Sequence, residues 1–201
     1  MKNLFTTIFS LFGFLLIILA VKAGNFLFID HFFNLLPRAD WLMWIFFFVT
    51  DVGSVACVLF GSLALVSFLV VEGKYLRAIH SVTSLSLGLG LQTILKYVFA
   101  VERPLNGLVG TVGYSFPSGH ANMIMILCTL SYVHVFHQIR SIHKRRIMFL
   151  VLLGIVLLVG VSRVYLNAHW VSDVLAGWLL GIFCTTVPLL FKPFRKHFTA
   201  A

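Results

Sequence analysis

Charge is what this chain has least of. Only 10% of its 201 residues are charged, and just six of them are acidic. A water-soluble domain carries about a quarter charged residues. With 60% hydrophobic residues and a mean hydropathy of +1.03, a soluble domain is excluded and an integral membrane protein is indicated. Cysteine is also scarce. Cys57, Cys128 and Cys184 all fall inside apolar runs and form no Cys-x-x-Cys pair, which argues against a zinc site and against a disulfide framework. Buried free thiols are the expectation. No inverted repeat is visible, which argues against a transporter. The net charge of +9 raises nucleic acid as a partner. The cations cluster at alternate ends of the apolar runs, however, so the charge is topological and no nucleic-acid partner is expected.

What is present is a series of six apolar runs, read as an all-α bundle of six transmembrane helices in one domain, 1–201. Leu4–Val21 is an uncharged run of 18 residues, long enough to span with help from its flanks. Lys2 and Val21-Lys22-Ala23 loosely fit a cleaved signal peptide. The run is long for that role and Lys22 sits beside the would-be cut, so a retained first span is the reading. Ala23–Asp40 mixes Phe26, Phe28, Phe32, Phe33, Leu35 and Leu36 with Asp30, His31, Arg38 and Asp40. It is either a short interfacial helix or a connecting loop with aromatic anchors.

Trp41–Val71 is the second span, with Trp41 and Trp44 suited to the interface. Asp51 inside it either pairs with a cation of a polar site or lies in a wet vestibule. Gly53, Ser54, Gly61 and Ser62 read as close-packing positions. Ala78–Leu95 is the third span. His80 near its start reads as interfacial, and Gln92 near its end as a hydrogen-bonding partner for a neighbouring helix. Lys96–Phe116 reads as a structured loop, and Ala121–Phe136 as the fourth span. His134 and His137 have a spacing that suits a metal. With no carboxylate or cysteine nearby, an interfacial polar edge is the better reading. A basic loop to Arg146, the fifth span Ile147–Ser162, a short loop Arg163–Trp170 and the sixth span Val171–Phe191 complete the chain.

Threading the six spans puts Lys2, Lys74, Arg77, Arg140, Lys144, Arg145, Arg146, Lys192, Arg195 and Lys196 on one side, ten of the fifteen basic residues. By the positive-inside bias that side is cytoplasmic. Both termini are then inside, and the loops carrying Lys96–His120 and Arg163–His169 face outward. Three of the five outer cations fall in these two loops, against the bias, so they need another reason to be there.

Three groups in those loops carry chemistry. Lys96, Arg103 and Arg163 supply fixed positive charge. Arginine offers forked donors matched to phosphate oxygens, and lysine a point charge. Three cations suit a phosphoryl group, whose transition state spreads charge over three oxygens. In Pro117-Ser118-Gly119-His120, proline presets a helix entry, Ser118 suits an N-cap, and backbone N–H groups at Ser118 and Gly119 face an anion. His169 and Asp173 are four residues apart, hence on one helix face. An aspartate accepting Nδ1–H leaves Nε2 free to attack phosphorus. His120 would protonate the leaving oxygen and later activate the hydrolytic water. The cations already neutralise charge, so no metal and no cofactor is required. Glu102, next to Arg103, either orients it or is a solvated loop charge.

Lys96-x6-Arg103-Pro104, Pro117-Ser118-Gly119-His120 and Ser162-Arg163-x5-His169-x3-Asp173 resemble the three motifs of the type 2 phosphatidic acid phosphatase (PAP2) superfamily. The resemblance spans residues 96–173. It implies a helical bundle of the PAP2 and haloperoxidase-like type, in its membrane rather than its soluble haloperoxidase branch. It further implies a metal-independent lipid phosphatase working through a phosphohistidine, with the roles given above for His169, Asp173, His120, Lys96, Arg103 and Arg163. Ser118, Gly119 and Ser162 are implied as phosphate-site residues. The compact size resembles bacterial undecaprenyl-diphosphate phosphatases, which implies a bacterial inner membrane. Phosphatidylglycerophosphate and lipid A compete as substrates. Capture of the phosphoryl group by a lipid hydroxyl instead of water would make a phosphotransferase.

Overall fold

The computed structural model describes residues 2–35, 37–192 and 194; Leu36, and Arg195 and Lys196 among the expected cytoplasmic cations, lie outside them. Among the described residues every regular element is helical. The helices are α1 (Lys2–Lys22), α2 (Leu27–Leu35), α3 (Asp40–Val52), α4 (Val55–Val71), α5 (Tyr75–Phe99), α6 (Gly119–His134), α7 (Ile142–Tyr165) and α8 (Val171–Thr186). Five helical segments are long and apolar enough to cross a membrane, and the pair α3–α4, bent at a short break, brings the number to six when it is counted as one span. The segment left open between helix and loop contains a helix, α2, with Phe28 and Phe32 exposed.

The second span is not one helix. It breaks at Gly53-Ser54, where α3 and α4 meet at 43°. The cause is local. Gly53 ends α3 with its N–H on the Thr50 carbonyl. The Ser54 hydroxyl then accepts the Cys57 N–H at 3.3 Å and starts α4, as an N-cap does.

Two helices outrun their expected ends. α5 continues through Lys96, which is on a helical turn and not in the loop. α7 begins with Ser141 as its cap and takes in Lys144, Arg145 and Arg146 from the expected basic loop. At its other end it takes in Arg163. Charged residues at span ends read as loop by composition, but long basic side chains can stay helical while their heads reach water or, as for Arg163, a buried polar partner. The sixth span closes early as a regular helix. After Thr186 it tightens into a 3₁₀ turn, Val187–Leu190, at Pro188.

α8 sits at the centre, packed on α1 and α6. Gly177 and Gly181 make this possible. A Cβ at Gly177 would stand 2.7 Å from the Ser118 carbonyl oxygen, and one at Gly181 would stand 2.9 Å from that of Asn122. Small residues one turn apart let two backbones approach. Gly53 and Gly61 leave room for the Val159 and Leu127 side chains, as the close-packing reading expects. Phe14, Leu69, Phe116, Ile126, Leu130, Val159 and Leu180 fill the interior. Phe5, Phe9, Trp41, Trp44, Phe48 and Phe60 stay on the outside, the face a lipid-embedded bundle presents.

His80 and His134 are not interfacial. Both are fully buried. His80 Nδ1 lies 2.9 Å from His134 Nε2, and His80 Nε2 lies 2.9 Å from the Thr185 carbonyl. A carbonyl only accepts, so His80 carries its proton on Nε2 and accepts from His134 Nε2–H. The two residues bind the far ends of α5, α6 and α8 together.

Candidate active site

The opposite ends of the same helices bring the sequence-predicted residues together. Ser118 caps α6, its hydroxyl accepting the Ala121 N–H at 3.5 Å. Its backbone N–H donates to the Asp173 carbonyl at 3.0 Å. The first turn of α6, with Gly119 and His120, is thereby tied to the first turn of α8. Gly119 fits because Gln92 closes over it: a Cβ would lie 3.3 Å from Gln92 Nε2. Gln92 is itself held by Asn122 Nδ2 at 2.7 Å, the interhelical bond expected of it.

His169 lies just before α8, 3% exposed, and Asp173 is fully buried. One carboxylate oxygen of Asp173, Oδ2, accepts from His169 Nδ1 at 3.1 Å and from the Trp170 N–H at 3.0 Å. Asp173 therefore starts the helix and orients the imidazole with the same atom. The other ring nitrogen, Nε2, faces the Arg103 guanidinium at 3.3 Å. An arginine N–H can only donate, so the ring is the Nδ1–H tautomer with its Nε2 lone pair toward the cation. Burial, reinforced by the charges of Arg163, Arg103 and Lys96, holds the His169 pKa well below its ordinary value. The ring is neutral and its lone pair available.

Arg103 is built in by carbonyls: Gly113 at 2.8 Å, Ala168 at 2.6 Å and Tyr114 at 3.2 Å accept from it. Burial lowers its pKa and the Asp173 charge opposes that. Lys96 reaches across from α5 to the Tyr114 carbonyl at 2.6 Å. Ser115 pins the same loop to the Val101 carbonyl through both its N–H and its hydroxyl. Arg163, 3% exposed, donates to Thr50 Oγ1 at 2.7 Å. Its Nε has no hydrogen-bond partner among the described residues. Buried N–H donors are normally satisfied, and an anion in this site would accept from such a group.

The structure also separates some residues from the cluster. Ser162 is buried on the same turn as Arg163, but its hydroxyl donates back to the Val159 carbonyl at 2.7 Å. Asp51 is exposed; it acts on Arg163 as a charge and not as a hydrogen-bond partner. Glu102 is exposed, and among the described residues its carboxylate makes no ion pair with Arg103. Its backbone carbonyl holds the Trp170 indole N–H at 2.8 Å instead.

Thr50 was missed by sequence reasoning, which looked to Asp51. The available signal was the break itself. Thr50 lies one turn before Gly53, and a Cβ at Gly53 would stand 3.4 Å from the His120 ring. The bend carries both residues to the site.

The PAP2 superfamily matches residues 77–196, and the chain belongs to that superfamily. It is 37% identical over 95 residues to phosphatidylglycerophosphatase B of Bacillus subtilis, covering 46% of each chain. It is 36% identical over 113 residues to an undecaprenyl-diphosphatase of Sulfolobus acidocaldarius, covering 50% of this chain and 48% of the relative. Human dolichyldiphosphatase 1 is 28% identical over 123 residues, covering 56% and 52%. The chain thus spans about half the length of the relatives it matches. Among solved structures, a transmembrane PAP2-type phosphatidylglycerolphosphate phosphatase from Bacillus subtilis superposes with a TM-score of 0.81 at 24% identity, over 96% of this chain and 97% of that one. LpxE from Aquifex aeolicus gives 0.63 at 27% identity, over 82% and 94%. The fold is that of the membrane PAP2 proteins.

Proposed function

We propose that the protein is a metal-independent membrane phosphatase that hydrolyses a lipid phosphate or diphosphate through a phosphohistidine. The observation that carries this reading is His169, held at Nδ1 by Asp173 and faced at Nε2 by a cation. Nε2 attacks phosphorus and the bond to the leaving oxygen breaks. His120 gives that oxygen its proton. His120 then takes a proton from water as the water attacks the phosphohistidine, releasing phosphate and restoring the imidazole. Lys96, Arg103, Arg163 and the Gly119 N–H at the start of α6 hold the phosphoryl oxygens; the Ser118 N–H, expected to join them, is taken by the Asp173 carbonyl, so Ser118 acts by capping α6. Ser162 joins them as a donor once its hydroxyl turns from the Val159 carbonyl.

Undecaprenyl diphosphate is the favoured substrate. Two of the relatives are named for long polyprenyl diphosphates, and phosphatidylglycerophosphate, named by a third, is the competitor. The cation distribution supports a site on the extracytoplasmic face of a bacterial inner membrane, with both termini cytoplasmic.

The test is phosphate release by the purified protein in detergent with EDTA, with undecaprenyl diphosphate, phosphatidylglycerophosphate, phosphatidate and lipid A side by side. Release from the polyprenyl lipid that disappears in His169→Ala is the expected result. Full release by His169→Ala from any of them refutes the mechanism. Label passing to an acceptor lipid instead of free phosphate indicates transfer.

A further inference from the structure

The start of α8 is held by two carboxylates, and only one belongs to the motifs. The second is Asp30 of α2. It is 9% exposed. Its Oδ1 accepts the backbone N–H of Ser172 at 3.1 Å, and its Oδ2 accepts the Ser172 hydroxyl at 2.8 Å. Ser172 directly precedes Asp173, whose own Oδ2 holds both Trp170 N–H and His169 Nδ1. The N–H groups of Trp170 and Ser172 at one helix start are thus divided between Asp173 and Asp30. A second α2 residue reaches the same turn: the His31 ring packs edge-on against Trp170 at 5.4 Å.

This is a costly place for an acid. Burial raises the Asp30 pKa, and the nearby Asp173 charge raises it further. Ser172 and the positive end of α8 oppose those effects. A neutral cap would satisfy the same N–H without a second buried charge beside the first. Asp30 also lies outside residues 77–196, the part matched by the superfamily.

We infer that Asp30 is a positioning residue: through Ser172 it fixes the first turn of α8, and so the orientation of the His169–Asp173 pair, from helix α2. The inference rests on the phosphatase reading above. Because α2 shows Phe28 and Phe32 on its exposed face, the element that sets the imidazole also presents an apolar edge outward.

The test uses the full chain in detergent with Asp30→Ala, Asp30→Asn and Ser172→Ala. Two readouts are taken: kcat and KM on undecaprenyl diphosphate, and the imidazole ¹⁵N signal of His169, assigned by its loss in His169→Ala. Asp30→Ala is expected to lower kcat by about 10- to 100-fold, with KM within about 3-fold, because the loss is one of alignment and not of binding. Its His169 signal shifts. Asp30→Asn keeps an oxygen for the Ser172 N–H and an amide for the hydroxyl, and restores both readouts. An unchanged kcat and His169 signal in folded Asp30→Ala overturns the inference, as does a loss confined to KM. Should Asp30→Ala not fold, Ser172→Ala decides: a smaller fall in kcat with a shifted signal supports the inference, and an unshifted signal overturns it. If the wild type releases no phosphate from any lipid, the phosphatase reading fails, while the His169 signal still decides the positioning.

Discussion

The bundle buries histidines at both ends, and the two sites differ in what surrounds them. At one end His80 and His134 bond to each other, and His80 to the Thr185 carbonyl. At the other, His169 has a carboxylate on one nitrogen and a guanidinium on the next, with Lys96 and Arg163 acting on it as charges. The first arrangement pairs two rings and ties helix ends. The second fixes a tautomer and turns a lone pair toward concentrated positive charge. Burial is common to both, so burial does not make a histidine reactive. What sets His169 apart is a carboxylate on Nδ1 and positive charge facing Nε2.

The largest effect that can break this comparison is the removal of each ring in turn. His169→Ala is expected to lower kcat for phosphate release by about 10³-fold or more, and His80→Ala to leave it within about 3-fold. Equal losses in single-turnover measurements would erase the distinction. The next effect concerns the cations. Arg103→Lys loses the forked contact to the His169 side of the site, and Arg163→Lys loses the group held by Thr50. Each is expected to cost about 10²- to 10³-fold in kcat, as removal of a transition-state donor does.

Stability reverses the ranking. His80→Ala leaves His134 Nε2–H and the Thr185 carbonyl without that partner in the buried interior. That is expected to cost about 1–3 kcal/mol, read as a lower midpoint of unfolding in detergent. The smallest effect is one of pH. The unfolded chain protonates His169 near its ordinary value of 6.5, while the folded site holds the ring neutral well below it. The unfolded state therefore binds more protons as pH falls through that window, and stability declines by up to about 1.4 kcal/mol per pH unit from this group. His169→Asn should flatten the slope; an unchanged slope would place the titration elsewhere.

The sequence carried the crossings and the motif cluster well, and for separable reasons. Apolar runs report spans by composition alone, and the spacing from Lys96 to Asp173 reports helix ends that must converge. Less legible was anything decided by partners distant in sequence. The His80–His134 bond joins residues 54 apart, and each alone looks like an interfacial residue. The bend at Gly53-Ser54 looks like a packing pair until Ser54 is seen capping a new helix. Lys96 and Arg163 sit on helices because charged residues at span ends can stay helical where their heads find polar partners, the Tyr114 carbonyl for Lys96 and the Thr50 hydroxyl for Arg163. Asp30 was one acid in an ambiguous aromatic stretch, and only its two bonds to Ser172 tie it to the site.

The central claim is a covalent bond from phosphorus to His169. The most direct measurement is a rapid alkaline quench of the wild type with ³²P-labelled undecaprenyl diphosphate, followed by peptide mapping. The account predicts alkali-stable, acid-labile label on the peptide containing His169, formed as fast as phosphate is released and absent in His169→Ala. Label on a different residue, or full turnover by His169→Ala, would contradict it.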